Sequence, residues 1–108
     1  MENSILITGG LGFIGSHVVN ALSHKPECDV AVYDIQARNS ESENTVMVQG
    51  DVFDSANLLK LMRDREVSSI VHMVGLASIP GCRENPDISF RLNVLSVQSV
   101  LEAMRQCD

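Results

Sequence analysis

Ile5-Leu6-Ile7-Thr8-Gly9-Gly10-Leu11-Gly12-Phe13-Ile14-Gly15 is the stretch whose reading decides the fold of this chain. From Ser4 to Thr8 the residues are few, mostly apolar and rich in β-branched types, which suits a strand buried on both faces. The run then breaks into glycines and resumes as helical sequence. An abrupt passage from strand to helix needs backbone free to take positive φ, and Gly9 and Gly10 are placed to supply it. Gly12 puts no Cβ between the main chain and an approaching pyrophosphate. The amides around Leu11, Phe13 and Ile14 can then point at the anion, and the helix dipole favours its charge. Gly15 lets the helix lie close on the strand. Gly10, Gly12 and Gly15 satisfy G-x-G-x-x-G, while Gly9, Gly12 and Gly15 satisfy the wider G-x-x-G-x-x-G. A tight turn with no ligand would also use such glycines; a strand before them and a helix after them are the context that favours dinucleotide binding.

A second strand, Val30 to Asp34, supplies the next part of that argument. In a dinucleotide fold the strand beside the glycine turn ends where the adenine ribose sits, and an acidic residue roughly 20 positions beyond the turn accepts hydrogen bonds from its hydroxyls. Asp34 stands there. Its carboxylate would repel a 2′-phosphate, so the reading favours NAD over NADP, with Arg38 the one nearby feature that speaks for NADP. A solvated carboxylate closing a strand is the plain alternative for Asp34.

Composition narrows the function classes. The chain has 108 residues, enough for one domain or part of one, and residues 1–108 are expected to form a single dinucleotide-binding half-domain with no second domain. Net charge is -6 with eight Lys and Arg, and there is no basic run interleaved with aromatics, which argues against nucleic acid as a partner. Cys28, Cys82 and Cys107 are far apart and form no C-x-x-C pair, so reduced thiols are expected rather than a disulfide frame or a zinc site. Met1-Glu2-Asn3-Ser4 has no basic character and the apolar run after it is too short to span a bilayer. The expectation is a cytoplasmic protein with no membrane partner.

The remaining elements follow from periodicity. The first helix is expected from Leu11 or Gly12 to His24, with Val18, Leu22 and either Ile14 or Val19 on the sheet. Gln36 to Asn44 reads as a polar loop and Thr45 to Gln49 as a third strand. Asp54 is placed to cap a helix carrying Leu58, Leu61 and Met62 on one face. Ser69 to Val74 reads as a fourth strand. A last helix should begin near Pro86 or Asp87, with Phe90, Val94, Val97, Leu101 and Met104 as a core stripe and Asn93 and Ser96 off that line. Alternating strands and helices specify an α/β fold, a Rossmann-type doubly wound parallel sheet of order 3-2-1-4.

On these residues the chain resembles the extended short-chain dehydrogenase/reductases, specifically their NAD-dependent epimerase/dehydratase group. Thr8-Gly9-Gly10-Leu11-Gly12-Phe13-Ile14-Gly15 resembles the group's phosphate turn, and Tyr33-Asp34 its ribose-binding strand end. Gly50-Asp51-Val52 is similar to its adenine-contacting segment, which implies Asp51 near the exocyclic amine and the Val52 backbone beside the ring. Asn85-Pro86 through Asn93-Val94 to Leu101-Glu102-Ala103 resembles its fourth helix, where the resemblance makes Asn93 a structural and sometimes catalytic support. His72-Met73-Val74-Gly75 departs from the His-Leu-Ala-Ala usual at that place. The resemblance also implies hydride transfer assisted by a Tyr-x-x-x-Lys pair. Here Tyr33 is the single tyrosine, Ala37 stands four positions on, and no such pair occurs. The expectation is therefore the NAD-binding, N-terminal portion of such an enzyme, incomplete relative to the full family fold and without turnover of its own. Two alternatives stand beside it: a non-catalytic sensor of NAD or NADP, and a module that self-associates through the open edge of strand four.

Overall fold

A computed structural model describes residues 3–40 and 42–107. Met1, Glu2, Glu41 and Asp108, which belong to the N-terminal stretch, the polar loop and the end of the last helix as read above, lie outside the described residues. The elements are β1 (Ser4–Thr8), α1 (Phe13–Ser23), β2 (Asp29–Asp34), β3 (Thr45–Gln49), α2 (Ser55–Asp64), β4 (Ser69–His72), α3 (Ile79–Glu84), α4 (Pro86–Phe90), a π-helical turn (Arg91–Leu95) and α5 (Ser96–Cys107). The four strands form one parallel sheet of order β3-β2-β1-β4, as the alternation of strands and helices requires.

Alternation along the strands builds a core on each face. Leu6, Ala31 and Tyr33 point to one side, where Leu58 and Met62 of α2 and Val100 and Ala103 of α5 cover them. Ile7, Val30 and Val32 point to the other, against Val19 of α1 with Val18 and Leu22 beside it. Of the two residues left open for α1, Val19 is therefore the packed one; Ile14 is 61% exposed. Asp54 caps α2, its side chain accepting from the Asn57 amide at 3.2 Å.

Three expectations are corrected. Strand four stops at His72 rather than Val74, because its partner β1 ends at Thr8. Met73 still donates to the Thr8 carbonyl at 2.8 Å, and the chain then passes hard against Gly9. A short helix, α3, precedes the last one; Ser78 caps it with its hydroxyl and Pro80 lies in its first turn, but six residues containing Gly81 carry no apolar period to reveal it. The last correction is the largest. Phe90, Val94, Val97, Leu101 and Met104 are not core but 40 to 57% exposed, and the buried face of α5 is Ser96, Val100 and Ala103. Spacing marks an apolar stripe without saying what covers it, and here the smaller residues Ser96, Val100 and Ala103 are the ones turned inward, with Val100 and Ala103 packing beside Leu58 and Met62 of α2.

Candidate functional site

The carboxyl ends of β1, β2 and β4 open into a cleft of about 440 Å³ whose walls include Gly9, Leu11, Gly12, Asp34, Asp51 and Val52. All six come from the glycine turn, the end of β2 and the loop after β3, three segments far apart in sequence that parallel strands bring to one edge. The glycines divide their work differently from the sequence reading. Gly9 alone takes positive φ, at +68°, and a Cβ there would meet the Met73–Val74 backbone at 2.8 Å. Gly10 needs no such freedom; a Cβ on it would lie 2.5 Å from Val32 Cγ1, so the constraint is packing onto β2. Gly15 is held by backbone: its Cβ would fall 2.5 Å from the Gly9 carbonyl oxygen.

Gly12 differs from all three. A Cβ there would touch only the Gly9 carbonyl, at 3.4 Å, so the fold leaves space above it. It is also the N-cap of α1, with no side chain bonded to the first-turn amides around Phe13 and Ile14. An eleven-residue helix thus offers free donors and its positive dipole end to open space, which fits a pyrophosphate. Phe13 is 83% exposed, so it and Ile14 offer backbone rather than side chain.

Asp34 is fixed at both oxygens, one accepting from the Leu11 amide at 3.1 Å and the other from the Gln36 amide at 2.9 Å. The carboxylate is thereby tied to the glycine turn, and each oxygen keeps a lone pair for a hydroxyl donor. Asp51 is braced from behind. Tyr33 donates its hydroxyl to the Asp51 carbonyl at 2.8 Å and accepts from Asn57 at 3.1 Å, while the Asp51 carboxylate accepts from the Phe53 amide at 2.9 Å. Gly50 makes room for the tyrosine, since a Cβ there would overlap its ring. Burial pushes the Tyr33 hydroxyl above its ordinary 10.0, the opposite of what proton abstraction at neutral pH needs. This tyrosine is a brace.

Asn93 lies outside the cleft wall. Its side-chain oxygen accepts from the Leu76 amide at 2.8 Å and its amide donates to the Leu76 carbonyl at 2.9 Å, pinning the loop after β4 to the π-helical turn. Gly75 permits this, since its Cβ would come within 2.8 Å of the Asn93 oxygen. Sequence reading missed Arg91, the one Lys or Arg on the cleft wall among the described residues; a lone basic residue on an exposed helical face carries no signal in spacing.

His72 ends β4 as a relay between elements. Ser96 donates to the Leu92 carbonyl, so its oxygen accepts from His72 Nε2 at 2.9 Å, and Nδ1 is left to accept from the Thr8 hydroxyl at 2.6 Å. That direction requires the neutral ring. Burial also lowers its pKa from 6.5, so the unfolded chain binds the proton more readily than the folded one. The contribution of this network is complete above about pH 6.5 and declines as pH falls below it. Chemical denaturation between pH 7.5 and 5 should show that loss, and His72→Gln should flatten the slope; an unchanged slope in the variant would exclude His72 as its source.

A parallel sheet with a glycine turn at the start of its first helix, an acidic residue closing β2 and a cleft across the strand ends defines a dinucleotide-binding protein of the Rossmann type. The family model described as the NAD dependent epimerase/dehydratase family matches residues 5–108, and the chain belongs to that family. A UDP-glucose 4-epimerase of Azospirillum brasilense is 32% identical over 101 residues, covering 92% of this chain and 29% of the relative. UDP-glucose 4-epimerase from Brucella ovis, solved in complex with NAD, superposes with a TM-score of 0.86 at 32% identity over 97% of this chain and 33% of that one. L-threonine dehydrogenase from Clostridium difficile superposes with a TM-score of 0.84 at 26% identity, covering 99% of this chain and 34% of that one. The chain thus spans about a third of the length of the relatives it matches. No helix among the described residues is long and apolar enough to cross a membrane.

Proposed function

We propose that these 108 residues form one dinucleotide-binding unit that holds NAD across the strand ends and does not by itself turn over a substrate. The observation that carries the reading is the space above Gly12 at the uncapped start of α1. Gly9, Gly10, Leu11, Gly12, Phe13, Ile14 and Gly15 form the pyrophosphate turn, Asp34 accepts the ribose hydroxyls, and Asp51 and Val52 meet the adenine. Asn93 acts through the Leu76 loop. NAD, when bound, supplies a hydride acceptor. The residues here bind and orient it, and the one tyrosine is committed to bracing Asp51.

Which reaction the unit serves is left open by its own residues, since an epimerase and a threonine dehydrogenase superpose on it about equally well. A nucleotide-sugar epimerase or dehydratase is the reading that the curated relatives favour. Calorimetric titration with NADH and with NADPH tests the proposal. Saturable binding of NADH, weaker for NADPH because of the Asp34 charge, is the expected result. Absence of heat and of any thermal shift with both would overturn it.

A second reading rests on the apolar stripe of α4, the π-helical turn and α5 together with β4, which stands at the end of the sheet order. An open strand edge and an uncovered stripe both favour self-association. Light scattering at high concentration should then report a dimer or larger species, and a monomer throughout would remove this reading.

A further inference from the structure

Of the side chains on the cleft wall that the proposed dinucleotide site leaves without a role, Arg91 is placed to act on the ligand. It opens the π-helical turn, and its guanidinium carbon lies 4.3 Å from the centroid of the Phe53 ring. Phe53 is in turn bonded through its amide to the Asp51 carboxylate, and the Asp51 carbonyl is held by Tyr33. Guanidinium, phenyl ring and carboxylate therefore make one braced rim of the cleft.

Chemistry decides what such a rim receives. Among the described residues no carboxylate pairs with Arg91, an exposed residue of the cleft wall whose side chain lies over the Phe53 ring. A guanidinium over an aromatic ring is itself planar, presents a fork of N–H donors, and is a group on which planar π-systems stack. The Asp51 oxygen left unused by the Phe53 amide is an acceptor on the same rim. A flat ring carrying both an amino donor and ring-nitrogen acceptors matches this pair; a phosphate does not, because the neighbouring Asp51 repels it. The backbone of the π-helical turn is pinned by Asn93 to Leu76, so Arg91 is presented from a fixed position.

We infer that Arg91, backed by Phe53, is a positioning residue for the adenine base, forming the stacking face of the pocket whose edge is Asp51. The inference rests on the dinucleotide reading above and names the residue that sets its preference for the base. It is tested by calorimetry with NADH and with adenosine 5′-monophosphate on the parent chain, Arg91→Ala, Arg91→Lys and Phe53→Leu, each shown folded by its melting curve. Arg91→Ala should weaken both ligands about 10-fold, within the range measured for stacking of a base on a side chain. Arg91→Lys should be about as weak, since it keeps the charge and loses the plane, and Phe53→Leu should lie between the parent and Arg91→Ala. Parent-like affinity in Arg91→Ala would overturn the inference while leaving the dinucleotide site intact. Full rescue by lysine would overturn it too, by showing that the charge and not the plane is what binds. Failure of the parent chain to bind either ligand would overturn both readings together.

Discussion

Gly12→Val should fold and yet lose at least about 100-fold in affinity for NADH, which corresponds to about 2.7 kcal/mol. The fold tolerates the side chain because its Cβ meets nothing closer than the Gly9 carbonyl at 3.4 Å, and because the backbone at φ -72° and ψ 178° is extended, a conformation open to β-branched residues. Valine is a poorer N-cap than glycine, so a stability loss of about 1 kcal/mol is expected beside the binding loss. The two readouts separate. A melting curve within a few degrees of the parent, with no calorimetric signal for NADH, assigns the effect to the space that the pyrophosphate would occupy. Parent-like affinity would place the phosphates elsewhere and remove the main support for the proposed function.

Three residues further on, the same kind of change should do the opposite. Gly15→Ala puts a Cβ 2.5 Å from the Gly9 carbonyl oxygen and 2.9 Å from Gly10 Cα, and both are backbone atoms that cannot rotate away. Either α1 lifts from the turn or the turn deforms. Overpacking of this kind costs about 3 kcal/mol, which for a domain of this size lowers the melting temperature by roughly 15 °C. Thermal denaturation followed by circular dichroism measures it. A shift under about 3 °C would mean that the helix has freedom to move off the glycine turn, and the close approach would not be a constraint.

The contrast between these glycines shows where reading the chain stops. Spacing identified Gly9, Gly10, Gly12 and Gly15 as one motif but gave Gly9 and Gly10 the same task. Of these four glycines only Gly9 has positive φ, and Gly10 is required by Val32, a residue of the next strand. Asp34 was legible because a strand's end is a local event. The oxygens that tie it to Leu11 and Gln36 were not, because they depend on how the strand and the turn meet. Asp51 and Val52 came from resemblance, while the brace behind them, Tyr33 with Asn57, arises from β2 and α2 lying side by side. His72 was seen as a strand histidine; its partners Thr8 and Ser96 sit on two other elements.

The sequence by itself determined the order of strands, the position of the phosphate turn and the acidic end of β2, because period, glycine spacing and strand termini are written in neighbouring residues. It also contained the absence of a Tyr-x-x-x-Lys pair. Tertiary structure alone decided which face of the last helix is buried, since Ser96, Val100 and Ala103 and the longer apolar stripe have equally good helical periods and only the packing of α5 beside α2 in the core chooses between them. It alone seated Arg91 on Phe53 at the rim of the cleft, because two residues that share no element and no spacing become neighbours only when helix and loop pack together.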